Sequence, residues 1–162
     1  MRESAARPGL RRSPTPEDLR AWRNFVETAE RLRVTIGSRL QADSGLSSGD
    51  YSVLLTLSES PGKRIRSSEL ATQIGWERSR LSHHLGRMEQ RGLIRRQECA
   101  TDNRGAEALL TSAGAEAFRR ASPPHLHAIQ EVFVNALTPA QLEAVLDITQ
   151  ALCSHLDPPQ PQ

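Results

Sequence analysis

The sequence predicts a mainly α-helical fold with a small β-hairpin wing: a winged helix-turn-helix flanked by long N- and C-terminal helices. Two short amphipathic segments meet at Gly75, which is typical of a helix-turn-helix. Two extended runs then enclose a turn-rich tip, which indicates a hairpin. Apolar residues recur every three or four positions towards both ends of the chain, which indicates long helices with one buried face.

The two ends of the chain differ in composition from the rest. Residues 1–14 are rich in Arg, Ser and Pro without an apolar run, and we expect a flexible basic arm. Residues 157–162 (DPPQPQ) are expected to form a disordered tail. Residues 15–156 then make one domain of ordinary size. Since no segment approaches the roughly 20 apolar residues of a membrane span, we expect a cytoplasmic protein with no membrane partner.

The N-terminal part of this domain predicts two helices. Thr15-Pro16-Glu17-Asp18 is a helix start signal, with an N-cap threonine, a proline at the first helical position and acids in the first turn. An apolar stripe continues the helix over residues 15–42. Ser47 opens a second helix, which Pro61-Gly62 closes.

The helix-turn-helix occupies the centre of the chain. Its first helix runs from Ser67 to about Ile74, and its second, here called the reading helix, from about Arg78 to Gln90. One side of the reading helix is apolar, with Leu81, Leu85 and Met88. The other side is short, polar and basic, and a B-DNA major groove admits such a helix. The predicted groove residues are Ser79, Arg80, Ser82, His83 and Arg87.

These groove residues divide into two predicted roles. Arg87 flanks the exposed face, where a docked helix meets phosphates, whereas Ser79, Ser82 and His83 lie nearer the base edges. Arg80 is ambiguous, because its long side chain can reach either a phosphate or a guanine.

The wing is predicted over residues 93–110, with strands Leu93–Cys99 and Ala106–Leu110. Arg104 lies at its tip and is expected to enter a DNA minor groove, where the negative potential is enhanced. Asp102 is placed to orient the guanidinium. The alternative is a solvated ion pair in an ordinary turn.

Charge distribution also favours a nucleic-acid partner. Residues 63–104 hold ten basic and five acidic side chains, a net charge of +5, although the whole chain is only +2. Phosphate contacts from such a module would give binding a steep salt dependence. The predicted contacts to the DNA backbone are Ser67, Ser68, Arg78, Arg95 and Arg96.

The C-terminal part predicts two further helices within residues 115–156. The second begins at the capping box Thr138-Pro139-Ala140-Gln141. The adjacent prolines Pro123 and Pro124 predict a kink or break in the first. Leucine-rich helices at both ends of the chain suggest a subunit interface; the alternative is that they cap the core of their own domain.

A set of short motifs runs from Ser67 to Gly114: Glu69-Leu70-Ala71, Ser79-Arg80-Leu81-Ser82, Arg87-Met88-Glu89, Arg91-Gly92-Leu93-Ile94, Asp102-x-Arg104, Leu110-Thr111 and Gly114. This set resembles the MarR family of bacterial winged-helix regulators. The resemblance implies a transcriptional regulator, expected to be a repressor, that binds a pseudo-palindromic double-stranded operator as a homodimer. Residues 15–42 and 115–156 would be its dimerisation helices, and residues 47–114 its winged helix-turn-helix. Trp76 and the pair His83-His84 depart from the family's usual residues.

The resemblance also implies a small phenolic or anionic effector, bound between the dimerisation helices and the reading head. Candidate lining residues are Trp22, Arg23, Tyr51 and His125. The alternative interpretation is that all four are ordinary packing or surface residues.

Other chemistries find little support in the sequence. It contains no nucleophile elbow, phosphate loop or paired carboxylates, so we expect neither an enzyme nor a cofactor. His125-x-His127 could contribute to a metal site with His155 across a dimer, but no Cys or acidic cluster with ligand spacing accompanies it. Cys99 falls on the wing, and Cys153 falls on an apolar stripe where we expect it to be buried. Two alternatives remain: a winged-helix module for protein contacts, and a metal- or redox-responsive regulator of the same fold.

Overall fold

The computed structural model describes residues 13–98 and 106–156 of the 162-residue chain. The chain divides into two compact units, one up to Thr35 and one from Ile36 onwards. In the described residues the elements are α1 (Pro16–Ser44), α2 (Ser48–Glu59), β1 (Arg64–Arg66), α3 (Ser67–Gln73), the reading helix α4 (Arg78–Gln90), β2 (Ile94–Glu98), β3 (Ala106–Leu110), α5 (Ser112–Val132) and α6 (Pro139–Leu156).

Helix starts follow the capping signals of the sequence. The backbone N–H of Asp18 donates to Thr15 Oγ1, and the N–H of Thr15 donates to Asp18. Thr138 and Gln141 make the same reciprocal pair at the start of α6. Ser47 caps α2 in a capping box with Asp50. All three predicted starts are therefore confirmed.

The hydrophobic core of the second unit lies where α2, α3, the reading helix and the sheet meet. It contains the apolar side of the reading helix, with Leu81, Leu85 and Met88 almost fully buried. Leu54 and Leu57 of α2 and Leu70 of α3 complete its centre. Because this side of the reading helix is packed into the core, the opposite side of the helix faces solvent.

The wing forms a three-stranded antiparallel sheet of order β1-β3-β2. β2 and β3 are the predicted hairpin, with Arg96 opposite Ala108. The third strand, β1, was not predicted; it pairs with β3 and places Ile65 opposite Ala108. The tip of the wing, with Cys99, Asp102 and Arg104, lies outside the described residues.

Of the predicted kink or break at the proline pair, the break is wrong. α5 is one continuous helix from Ser112 to Val132 with Pro123 and Pro124 inside it. Each proline deprives one carbonyl four residues earlier of its helical donor, and these carbonyls belong to Arg119 and Arg120. Both arginines are exposed, so water can serve in place of the missing amides.

The start of α5 packs closely against Leu93, which lies between the reading helix and β2. Thr111 caps α5 by accepting a hydrogen bond from the N–H of Gly114, and its hydroxyl donates to the carbonyl of Leu93. A Cβ at Gly114 would lie 1.9 Å from that carbonyl oxygen. Only glycine allows this approach, which fixes the first turn of α5 on the wing.

α6 contains no buried residue. The prediction that Cys153 is buried is therefore wrong for the single chain, because its thiol is exposed. Leu146, Ile148, Leu152 and Leu156 of the same helix are also exposed, Leu146 to 69%. Leu146, Leu152 and Leu156 lie within about 120° of the helix circumference, and the apolar face that they form has no covering partner among the described residues. None of the described helices is both long and apolar enough to cross a membrane.

Candidate nucleic-acid interface

The exposed side of the reading helix carries every predicted groove residue. Ser79, Arg80, Ser82, His83 and Arg87 are all exposed. The neighbouring His84, by contrast, is 8% exposed, because it lies at the border of the apolar side of the helix. The structure thus presents two serines and a histidine beside two arginines that share one flank of the helix; their contacts with DNA remain a prediction.

A buried carboxylate holds the reading helix against the first turn of α2. Asp50 is 3% exposed. Its Oδ2 accepts hydrogen bonds from Arg91 Nη1 at 2.7 Å and from the N–H of Ser47 at 2.9 Å. Its Oδ1 lies 3.0 Å from His84 Nε2, within ion-pair distance.

The charge of Asp50 is maintained by these contacts. Burial alone would raise the pKa of the Asp50 carboxyl, but the donors from His84, Arg91 and Ser47 outweigh it and hold the pKa far below its ordinary value. Arg91 also donates to the carbonyl of Gly45 at 3.2 Å. The C-terminal end of the reading helix is therefore tied to α2 and to the turn before it.

His84 connects this anchor to one of the groove arginines. Its Nδ1 lies 3.0 Å from Arg87 Nη2. Because a guanidinium only donates, Nδ1 must be the acceptor, and the proton of a neutral ring then lies on Nε2, facing Asp50. Arg87 is thus held along the helix side rather than extended freely.

The second groove arginine contacts the turn of the helix-turn-helix. The guanidinium carbon of Arg80 lies over the Trp76 indole, 4.2 Å from its centroid. Trp76 itself meets His84 edge-on, with ring centroids 5.1 Å apart and an interplanar angle of 89°. It is half-buried and packs against the core, as expected for a packing residue.

The five predicted backbone contacts fall around the reading helix. Ser67 is the half-buried first residue of α3, and Ser68, Arg78, Arg95 and Arg96 are exposed. Arg96 is already paired: its backbone N–H and its Nε each donate to the Glu89 carboxylate at 2.8 Å. These hydrogen bonds lower the pKa of Glu89. Arg78 and Arg95 have no ion-pair partner in the described part of the chain, so their charges are more available to phosphates.

The predicted effector residues fall in two places. Tyr51 and His125 are brought together, with ring centroids 4.3 Å apart, and the Tyr51 hydroxyl donates to Ser122 Oγ at 3.2 Å. Burial lowers the pKa of His125. Trp22 and Arg23 lie in the first unit, where they line a shallow depression of about 290 Å³ with Leu19, Val26 and Glu27. Trp22 is 65% exposed there.

The residues that anchor the reading helix were not found from the sequence. Asp50 and Arg91 are 41 positions apart, and no local motif joins them. One signal was available: Ser47 and Asp50 have the spacing of a capping box, in which the acid accepts from the cap N–H. That signal explains one of the contacts of Asp50 and gives no indication of the other two.

Comparison with known proteins gives a consistent result. A sequence model described as the MarR family matches residues 46–105. The crystal structure of AbsC, a MarR family transcriptional regulator from Streptomyces coelicolor, is 37% identical with a TM-score of 0.83, covering 90% of this chain and 98% of that one. Sco3205, a MarR family transcriptional regulator from the same organism, was solved in complex with DNA. It is 36% identical with a TM-score of 0.86, covering 93% of this chain and 95% of that one.

A more distant relative is the transcriptional repressor MprA of Escherichia coli (strain K12). It is 29% identical over 113 residues, which cover 70% of this chain. The match spans 64% of the length of that repressor.

Proposed function

Since the chain belongs to the MarR family of transcriptional regulators, we propose that it binds double-stranded DNA sequence-specifically, with the reading helix in a major groove. The observation that carries the proposal is the two-sided reading helix: one side is buried and anchored through Asp50, and the other presents an exposed row of serines, a histidine and arginines. A fixed helix with such a face matches the pattern of donors and acceptors on base edges.

The basic residues around this helix supply the non-specific part of binding. Arg78 begins the reading helix, and Arg95 follows on β2 with no carboxylate paired to it in the described ranges. We expect both to contact phosphates, together with Ser67 and Ser68. We expect Arg96 to contribute less, because Glu89 already accepts two of its hydrogen bonds.

We propose that the chain acts as a homodimer on a pseudo-palindromic operator. The exposed apolar face of α6, with Leu146, Leu152 and Leu156, suits burial against a second copy. The first unit separately exposes Leu19, Trp22, Phe25 and Val26 along α1. In a symmetric dimer the two reading helices would enter successive major grooves, with half-sites about 10 base pairs apart.

We propose a repressor that responds to a small phenolic or anionic molecule. Support for the repressor comes from the resemblance to MprA. Support for the effector comes from Tyr51 and His125, which meet on α2 and α5. The buried Nδ1 of His125 has no hydrogen-bond donor among the described residues, and a phenol hydroxyl is a donor of suitable size.

The proposal is tested by titrating a fluorescent random duplex with the protein at several salt concentrations. We expect binding at low salt that weakens steeply as salt rises, because phosphate contacts release counterions. Arg95→Ala should flatten the salt slope by about one unit. Arg119→Ala is the matched control, since Arg119 is an exposed arginine on α5 paired with Glu116.

The alternative function is a winged-helix module that contacts proteins. The same duplex titration distinguishes it from a DNA-binding protein. Such a module would bind duplex weakly, and Arg95→Ala and Arg119→Ala would then behave alike. Dimerisation is tested separately, by sedimentation of the full chain and of a form without residues 138–162. A monomeric full chain at micromolar concentration would contradict the dimer.

A further inference from the structure

Arg80 is the groove arginine whose role the sequence leaves open, and its contact with Trp76 bears on that role. Its guanidinium carbon lies 4.2 Å from the centroid of the indole. The side chain is exposed, and no carboxylate lies within ion-pair distance of it in the described ranges of the chain. Arg80 therefore has a defined position and an unneutralised charge.

A guanidinium that contacts an aromatic face keeps the N–H groups of its edge available. Those N–H groups form a planar fork, which matches the O6 and N7 acceptors of guanine in the major groove. The aromatic contact also removes part of the rotational freedom that a free arginine would lose on binding. Such an arginine is suited to a base edge, whereas a phosphate can be reached by a flexible one.

We propose that Arg80 reads a guanine in each half-site, and that Trp76 is the positioning residue that holds its guanidinium. The inference rests on the proposed DNA binding and deepens it, because it separates the roles of the two groove arginines. Arg87 donates to His84 Nδ1 and is held along the side of the helix, which suits a phosphate at the groove wall.

Trp76 can serve this purpose because its ring is fixed from two sides. His84 meets it edge-on from the reading helix. On the α2 side, a Cβ added at Gly49 would lie 2.6 Å from Trp76 Cη2, so there is no free space between the ring and this turn. The position of the indole, and through it that of Arg80, is therefore set by the first turn of α2.

The experiment uses selection from random DNA, followed by affinity measurements on the selected operator and on random duplex at low salt. Arg80→Ala should lose the preference for guanine at one position of each half-site, with about tenfold weaker operator binding. Trp76→Leu should weaken operator binding about two- to fivefold, which is the contribution of one exposed cation–π contact. The loss should appear at the same guanine position of each half-site. Trp76→Phe should restore part of the loss, since phenylalanine keeps an aromatic face.

A double-mutant cycle on Trp76→Leu and Arg80→Ala distinguishes positioning from a general loss of structure. If Trp76 acts through Arg80, the double variant should bind the operator as Arg80→Ala does. If the two losses multiply, or if Trp76→Leu weakens random and operator duplex equally, the positioning role is wrong. If Arg80→Ala keeps the guanine preference and still binds random duplex, the role of Arg80 is wrong, whereas the proposed DNA binding stands. Failure of the unmodified chain to bind any duplex overturns the proposed function instead.

Two further variants keep the test decisive if Trp76→Leu does not fold. Gly49→Ala would place its Cβ 2.6 Å from Trp76 Cη2 and 3.0 Å from His84 Cε1, so it displaces both rings and should lower the guanine preference. Trp22→Phe leaves Trp76 as the single tryptophan, since the chain has two. In that background Arg80→Ala should make the indole more accessible to acrylamide quenching. Equal quenching with and without Arg80 would show that the contact is not formed in solution.

Discussion

Replacing Asp50 with asparagine tests the anchor of the reading helix. The substitution keeps the shape of the side chain and removes its charge. Donors approach both oxygens in the folded protein, from Ser47 and Arg91 on Oδ2 and from His84 on Oδ1. Whichever way the amide is turned, its NH₂ group faces at least one of these donors, so a buried donor loses its acceptor.

The cost can be estimated from these contacts. Removing one partner from a buried ion pair costs about 3–5 kcal/mol. This range must be reduced here, because the Arg91 side chain is 45% exposed and water can solvate it. Loss of the N-cap contact adds about 1 kcal/mol at most, because asparagine can still accept from Ser47. We therefore expect about 3 kcal/mol of destabilisation, which lowers the melting temperature by about 6–12 °C.

The assay is thermal and urea unfolding at one fixed protein concentration, because stability depends on concentration if the chain dimerises. The matched control is Glu30→Gln, which removes a carboxylate that pairs with Arg33 on the exposed surface of α1. It should unfold like the unmodified protein, since exposed pairs contribute little. If Asp50→Asn also unfolds like the unmodified protein, the buried carboxylate does not stabilise this fold.

The pH dependence of the stability difference between the unmodified protein and Asp50→Asn provides a second test. The pKa of Asp50 is depressed by folding, so its contribution is complete above the ordinary value of 3.8 and is lost as pH falls through and below that value. The stability difference between the unmodified protein and Asp50→Asn should therefore be smaller at pH 3 than at pH 7. A difference that is the same at both pH values would indicate a steric effect and refute the electrostatic reasoning.

Three further predictions concern DNA binding and assembly. Arg104→Ala should weaken operator binding by about 1–3 kcal/mol, the scale of one good groove contact, without changing the fold; equal affinity at physiological salt would exclude a minor-groove role. His83→Ala should change the preferred base at one position while sparing random duplex, and Arg87→Ala should weaken both duplexes alike; the reverse pattern in sequence selection would exchange the two assignments. Leu146→Glu should convert the proposed dimer into a monomer by placing a charge in the apolar face of α6, and sedimentation would show no change if that face is not the interface.

The sequence predicts the helices of this fold well because their signals are local. Three helix starts have polar caps at the correct spacing, and the reading helix is found over its full length, Arg78 to Gln90. The two sides of that helix follow from its periodicity alone. β1 was missed because it has only three residues, and one buried Ile65 between two exposed arginines is too short an alternation to indicate a strand.

What the sequence cannot give are contacts between distant segments. Periodicity places His84 at the edge of the apolar side, but its partners Asp50 and Trp76 come from elsewhere in the chain. The proline pair was misjudged because the cost of a proline depends on whether water can reach the freed carbonyl. Cys153 was misjudged because an apolar stripe shows only that a face is suited to burial. It does not show whether the same chain covers that face.

The first turn of α2 brings these observations together. Three consecutive residues of this turn have separate contacts: Gly49 abuts Trp76, Asp50 binds His84 and Arg91, and Tyr51 packs on His125. The first two contacts set the position of the reading helix and its arginines, and the third lies at the proposed effector site. A ligand can regulate DNA binding only if its affinity differs between two arrangements of the protein. Because these residues share one helical turn, a ligand that shifts the backbone at Tyr51 would also shift Asp50 and Gly49. A path of direct contacts therefore leads from the proposed effector site to the exposed side of the reading helix, without passing through the proposed dimer interface.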